Sequence, residues 1–184
     1  PIYKDLNHDG VIDSNDQAPI GYNPVPEMTF SLAAGLNWKG IDFSILLQGA
    51  ARSSIYLQQD IAWDNFWGNY YEEHIGRWTP ETAATATYPR FTKAATAAHP
   101  NYYKSDYWLK DSKYLRLKNI QLGYTIPRKL LKKFGVRSLR VYANAYNLFT
   151  WDNVKKVDPE SSNNSNGQFY PQQKVINFGI NLNF

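Results

Sequence analysis

Residues 174–184 read K-V-I-N-F-G-I-N-L-N-F, and they alternate almost without a break. Ile176, Phe178, Ile180, Leu182 and Phe184 share one face of an extended strand, while Asn177, Gly179, Asn181 and Asn183 share the other. One face is oily and the other is small and polar. A strand of a soluble sandwich has this pattern, and so does the last strand of a membrane β-barrel, where lipid meets the apolar residues and an aqueous lumen meets Asn and Gly. The terminal phenylalanine and the remainder of the chain favour the barrel.

Composition narrows the choice. Aromatic residues make up 16% of the chain, with 14 Tyr and 6 Trp, which suits a protein with interfacial girdles. No apolar run approaches the roughly 20 residues that a membrane helix needs, so any crossing is made by strands. A mean hydropathy of -0.54 agrees with this, because each spanning strand hides its apolar half in every second position. With no Cys there is no disulfide framework and no thiol chemistry. The net charge of +4 has a local origin, since Arg128, Lys129, Lys132, Lys133 and Arg137 lie in one short connection. They are not accompanied by an aromatic RNA-binding motif or a recognition helix, and no nucleic-acid partner is expected.

Five strands are predicted. Phe30, Leu32, Ala34, Leu36 and Trp38 form the apolar face of the first, and Ile41, Phe43, Ile45 and Leu47 that of the second, with Lys39-Gly40 as a tight turn between them. From Tyr114 to Ile126 the apolar phase shifts from odd (Leu115, Leu117) to even (Ile120, Leu122, Tyr124), which predicts either a bulge near Lys118-Asn119 or an exit from the membrane. Leu139 to Trp151 is the fourth strand and the terminal stretch the fifth. Short and long connections alternate, as in outer-membrane barrels, so residue 40 and the connection 127–138 are expected on the periplasmic side and residues 52–113 and 152–173 outside. Five strands fall short of the smallest bacterial barrels, at about eight. The sequence also opens on Pro1 in a loop, and the reading is of a fragment whose remaining wall comes from the same polypeptide.

Residues 5–16 fit the twelve-residue calcium loop of an EF-hand. Asp5, Asn7, Asp9, Asp13 and Asp16 place oxygens at positions 1, 3, 5, 9 and 12, Val11 offers its carbonyl at position 7, and Gly10 stands at the sharp turn of position 6. Hard Ca²⁺ takes such a set of oxygens, and its expected role here is structural. The departure is Asp16 at position 12, one methylene shorter than the usual Glu, and no helix flanks the loop. The alternative is an Asx- and Gly-rich turn that shares the spacing.

Taken in order, D-L-N-H-D-G-V-I-D-S-N-D with I-G-Y-N-P-V-P, then F-S-I-L-L-Q-G-A, R-W-T-P-E at 77–81, Y-P-R at 88–90, Y-L-R-L-K-N-I-Q-L-G-Y-T-I-P at 114–127, R-V-Y-A-N-A-Y-N-L-F-T-W at 140–151, D-P-E at 158–160 and the N-F-G-I-N-L-N-F ending make the chain resemble the C-terminal part of SusC/RagA-like TonB-dependent outer-membrane transporters of Bacteroidetes. The resemblance runs over essentially all 184 residues. It implies an all-β fold in which this chain supplies the closing strands and loops of an antiparallel barrel of about 22 strands with a plug. It also implies a SusD-like surface lipoprotein as lid, energy delivered by TonB to a segment outside this chain, and import of an oligosaccharide or peptide across the outer membrane. On this reading residues 1–27 are an extracellular loop and 28–184 are barrel strands and loops.

No catalytic constellation is evident. The three His residues (His8, His74, His99) and scattered Ser sit in no triad motif, and Glu72, Glu73 and Glu81 read as a solvated rim rather than a glycosidase pair. The competing non-enzymatic reading is a soluble calcium-stabilised β-sandwich that binds carbohydrate on Trp63, Trp67, Tyr70 and Tyr71. In the transporter reading the same four aromatics contact ligand, contact the lid, or pack the core of their own loop.

Overall fold

The structure is a computed structural model, and it describes residues 1–64, 68, 70–93, 98–154, 157–161, 170 and 172–184. The strands are β1 (Met28–Trp38), β2 (Ile41–Ala51), β3 (Ser54–Tyr56), β4 (Leu109–Asp111), β5 (Tyr114–Thr125), β6 (Ser138–Asp152) and β7 (Val175–Asn183), with one helical turn, α1 (Arg128–Leu131), between β5 and β6. Among the described residues no helix is long and apolar enough to cross a membrane, which says nothing of strands.

The contacts divide the chain into two units. One is a wall made of Pro26–Arg52, Ser112–Pro159 and Tyr170–Phe184. Its antiparallel sheet has the order β1-β2-β5-β6-β7. Register is what gives the wall two unlike faces. Leu36, Phe43, Leu122, Ala143 and Phe178 fall in one cross-strand row, and Ala34, Ile45, Ile120, Ala145 and Ile176 in the next. Between these apolar rows lies Gly35-Ser44-Gln121-Asn144-Asn177 on the opposite face. Leu32, Leu36, Leu122, Phe149, Phe178 and Ile180 are all exposed, so nothing in the unit covers the apolar side. Among the described residues of this unit there is no second sheet of the kind that a soluble sandwich requires.

The predicted bulge is present. Leu46 pairs with Asn119 and the adjacent Leu47 with Leu117, so Lys118 is an extra residue on β5. On the other side β6 spends Asn147 and Leu148 between Tyr146 and Phe149 where β5 spends only Lys118, and Asn147 takes a left-handed φ of 50°. The phase shift therefore keeps Leu117 and Ile120 on one face, and the strand does not leave the sheet. At the β1–β2 turn Lys39 (φ 48°) and Gly40 (φ 89°) are both left-handed, the requirement of a two-residue turn that follows strand twist. Gly40 also accepts the Thr125 N–H at 2.7 Å, and a Cβ on Gly40 would lie 2.7 Å from the Thr125 carbonyl oxygen.

The polar face is pinned by two side-chain crossings. Arg140 Nε and Nη2 meet the two oxygens of Asp42 at 2.9 and 2.5 Å, spanning β5 at Gly123, where a Cβ would lie 2.5 Å from both partners. The Tyr142 ring lies over Gly179 of β7, where a Cβ would approach Cζ to 2.3 Å. At the opposite end of the wall Arg116, 1% exposed, donates to Thr150 Oγ1 at 2.9 Å and to both Asp158 oxygens at 2.8 Å. That pair ties the segment after β6 to the wall.

The other unit contains Pro1–Val25 and Ser53–Asp111. Here β3 and β4 pair as a short ladder, and the rest is held by one-turn 3₁₀ segments at Gln59–Ile61, Glu72–Gly76 and Pro100–Tyr102. Sequence periodicity is silent on all of these because each is too short to repeat a pattern.

The wall faces make a quantitative prediction. Phe178 is 82% exposed on the apolar side and lies five residues from the strand end at Asn183. At roughly 3.3 Å per residue and about 40° of tilt this is about 13 Å of depth, near the middle of an apolar band about 25 Å tall. In the intact protein Phe178→Arg is expected to cost about 2–4 kcal/mol of folding into bilayers and Asn177→Arg, on the polar side, much less. Denaturant titration in liposomes measures both, and equal costs would reverse or abolish the facing assigned here.

Candidate functional site

The chemistry-bearing residues of the long loop gather around Asp64, which is fully buried. Its Oδ1 accepts from the Tyr102 hydroxyl and from the Tyr88 hydroxyl at 3.3 Å, and its Oδ2 accepts the Thr92 N–H at 3.0 Å. Tyr88 also donates to the Ala62 carbonyl at 2.9 Å and accepts the Asp64 N–H at 3.0 Å. Burial, with the Asp64 carboxylate adding to it, holds the Tyr88 and Tyr102 phenols well above the ordinary tyrosine range, so both remain donors. Trp63, Tyr102 and Trp108 stack around this centre, with 4.8 Å between the Trp63 and Tyr102 rings. His74, also buried, accepts the Tyr71 N–H at Nδ1 (3.1 Å) and therefore presents Nε2–H to the Ala62 carbonyl at 3.2 Å.

This places the four aromatics predicted as a platform. Trp63 is 3% exposed and packs in the loop core against Tyr102. Trp67 lies outside the described residues. Tyr71 is partly exposed, with its hydroxyl on the Asp60 carbonyl. Tyr70 presents surface, its ring 5.4 Å from Phe91, over which the Arg77 guanidinium sits at 4.9 Å. Beside Phe91 an open cleft of about 630 Å³ is lined by Arg90, Lys93, His99 and Pro100 and by no carboxylate. Sequence reading named Arg90 only as the end of Y-P-R and missed Phe91 and Lys93, for which the cation-aromatic run Arg90-Phe91-Thr92-Lys93 was the available signal.

Two of the sequence pieces pair with each other. Trp78 of R-W-T-P-E donates its N–H to the carbonyl of Tyr88 in Y-P-R at 2.9 Å. Glu81 is exposed, and hydrogen bonds from Thr79 and the backbone hold its carboxyl below the usual range. Glu72 and Glu73 are exposed as well, in the 3₁₀ turn, and the three carboxylates form no buried acid–base pair.

Residues 5–16 close into a ring of Asx turns. Asp5 accepts the N–H groups of His8 (2.6 Å) and Gly10 (2.8 Å), Asn7 that of Asp9, Asp9 that of Val11, and Asp13 that of Asn15. Asp16 accepts from Leu6 (2.6 Å) and Asp13 (2.9 Å), joining the last position to the first, and these N–H donors hold its carboxyl below the usual range. Gly10 has a φ of 84°, the sharp turn that position 6 demands. The donor set is all oxygen and of the right chemistry for Ca²⁺, but among the described residues no three His, Cys, Asp or Glu side chains converge on one point. The loop is ordered by these backbone donors and by two side-chain amides, Asn7 Nδ2 donating to Asp9 Oδ2 at 2.8 Å and Asn15 Nδ2 to Asp13 Oδ2 at 3.3 Å.

A sheet with one bare apolar face and one polar face, pinned by Tyr-on-Gly and Arg–Asp crossings, is the wall of a transmembrane β-barrel. No protein-family model matches the chain. It is 30% identical over 199 residues to TonB-dependent receptor P26 of Formosa agariphila and 26% identical over 185 residues to TonB-dependent receptor SusC of Bacteroides thetaiotaomicron, the alignments covering 99% and 100% of the chain. Over its whole length the chain is similar in sequence to TonB-dependent receptors, which are β-barrel proteins of the outer membrane. It spans about a fifth of their length, 19% and 17%. Its fold matches a chain of the RagAB peptide importer in the open-open state with a TM-score of 0.71 at 22% identity, covering 95% of this chain and 19% of that one. The relatives are receptors and transporters rather than enzymes.

The Asp64 centre predicts its own pH response. Because the folded-state phenols titrate above the unfolded value of about 10, their stabilisation is complete below pH 10 and is lost as pH rises beyond it. Tyr102→Phe removes one donor to a buried carboxylate and is expected to cost the loop about 1.5–3 kcal/mol. Hydrogen exchange of residues 59–64 and 100–102 in the intact protein checks the variant, which is expected to lose protection relative to the parent at pH 7, and tyrosinate absorbance checks the phenols, which are expected to ionise later than free tyrosine as pH rises.

Proposed function

We infer that the protein of which this chain is the described part imports an oligomeric nutrient, glycan or peptide, across the outer membrane. The observation that carries this reading is the wall itself, whose bare apolar face and polar inner face continue a sequence relation to TonB-dependent receptors over the whole chain. An open five-stranded sheet leaves β1 and β7 at its edges. In hydrocarbon each unsatisfied backbone group costs several kcal/mol, so further strands of the same polypeptide pair with both edges, and a plug fills the enclosed lumen. TonB supplies the energy through a segment outside this chain.

A SusD-like surface lipoprotein is the expected partner at the outer mouth. The loop unit supports this through its cationic and aromatic surface of Tyr70, Phe91 and Arg90, which suits either a lid or a substrate. Import is tested by purifying the intact protein in mild detergent and identifying what comes with it. A co-purifying lipoprotein with an oligomer held between the two is the expected result, together with loss of uptake of that oligomer in cells lacking the protein. Normal uptake of every oligomer and no lipoprotein would end the importer reading.

Residues 5–16 are proposed to bind one Ca²⁺ through Asp5, Asn7, Asp9, Asp13 and Asp16 and the Val11 carbonyl. The support is the oxygen-only donor set at EF-hand spacing and the left-handed Gly10. The ion would offset half the charge of a loop that holds four carboxylates in twelve residues. Calorimetry on the intact protein is expected to show one site that Asp9→Ala abolishes while the barrel still folds. Identical heats from the parent and the variant would assign the loop to backbone turns alone.

A further inference from the structure

At the short-turn end of the wall the connection 126–137 carries Arg128, Lys129, Lys132, Lys133 and Arg137. None of the five makes an ion pair among the described residues, although Arg52, Arg116 and Arg140 of the same unit all do. The sequence holds no acidic residue between Asp111 and Asp152, so neither the connection nor the strand on either side of it supplies a carboxylate within that stretch. Nor does the helical turn explain the charges. α1 is a single turn of four residues, in which first and last turn coincide, so its dipole gives no account of Arg128 and Lys129.

The same connection exposes two large apolar side chains. Leu130 is 65% and Phe134 75% exposed, while their neighbour Leu131 is buried. The apolar face of the sheet also ends here, in exposed Trp38, with the Lys39 ammonium 4.9 Å from its ring, and in exposed Tyr124. Thr125 bonds to Gly40, and Ile126 to Leu139, so the β1–β2 turn and this connection lie at one end of one sheet. Exposed apolar residues flanked by unpaired cations, continuous with a lipid-facing surface, have the chemistry of a membrane interface rather than of bulk solvent.

We propose that the connection 126–137 is an anchor for anionic phospholipid headgroups of the leaflet at the short-turn end of the barrel, with Lys129, Lys132 and Lys133 meeting phosphate and Leu130 and Phe134 entering the acyl boundary. The inference rests on the membrane placement proposed above. Charge complementarity selects an anionic over a zwitterionic headgroup, because each basic residue near such a surface is worth about fivefold in binding at physiological salt. The alternative occupant, an acidic polypeptide of the periplasm, is an outcome of the test.

The intact protein is reconstituted into nanodiscs of phosphatidylethanolamine with one-fifth phosphatidylglycerol, and the lipids it retains on transfer to mild detergent are counted by native mass spectrometry. The parent is expected to enrich phosphatidylglycerol, with the enrichment falling tenfold or more in K129Q/K132Q/K133Q and disappearing for the parent in half-molar salt. L130S/F134S is expected to lower total retained lipid while keeping the preference for phosphatidylglycerol. Retention of phosphatidylglycerol that neither salt nor the triple variant changes would overturn the proposal, as would co-purification of an acidic protein that displaces the lipid. The salt series needs no variant, so misfolding of a variant leaves the test intact. A parent that does not assemble in bilayers at all refutes the membrane placement instead, and the two failures are told apart by heat-dependent mobility of the folded barrel.

Discussion

Hydrocarbon offers no hydrogen-bond partner to a peptide group, and this one condition organises the wall. Every N–H and C=O in the band must be met by a neighbouring strand, so the chain can cross only as a ladder of regular register. The bulge at Lys118 shows how strictly the condition operates. An extra residue would ordinarily turn the rest of β5 inside out, placing Leu115 and Leu117 toward the lumen. Instead the irregularity is absorbed at one level, where β6 contributes Asn147 in a left-handed conformation, and the apolar face resumes unbroken beyond it.

Register also explains the glycines of the polar face. Gly123 and Gly179 stand in one cross-strand row with Asp42 and Tyr142. They are the two positions over which the Arg140–Asp42 bridge and the Tyr142 ring lie flat. A side chain at either site would lift its neighbour off the sheet. The bridge joins β2 to β6 across a strand that contributes only backbone there, so it resists slippage of two interfaces at once. Its worth is geometric as much as energetic, since a bidentate Arg–carboxylate pair accepts only one alignment.

The wall was legible because its signal repeats. Five strands, the tight turn at Lys39-Gly40 and the bulge near Lys118 all follow from period-two alternation and its single change of phase, and the resemblance to TonB-dependent receptors rested on pieces that span the chain. The loop unit was much less legible. Its order comes from Asp64, Tyr88, Tyr102 and His74, residues far apart in sequence with no periodicity between them, joined through single hydrogen bonds to hydroxyls and carbonyls. Trp63 illustrates the difference: an indole in an aromatic-rich loop reads equally as platform or core, and only the packing against Tyr102 decides for core. The ion pair of Arg116 with Asp158 was present in two quoted motifs, Y-L-R-L and D-P-E, yet nothing in either announces the other.

The loop core is polar for a physical reason. Residues 53–64 and 72–92 contain few large aliphatic side chains, so a purely apolar centre is not available to them. A buried carboxylate ringed by two phenols and an amide N–H instead closes the loop with directional bonds, and it does so without an exposed cation to be screened by salt. Charge is handled differently in each part of the molecule as a result. The loop buries an acid among neutral donors, the wall pairs its arginines with Asp42 and Asp158, and the short-turn connection leaves its cations unpaired. An unpaired cation is stable only in water or against an external anion, so in that connection electrostatics points outside the protein.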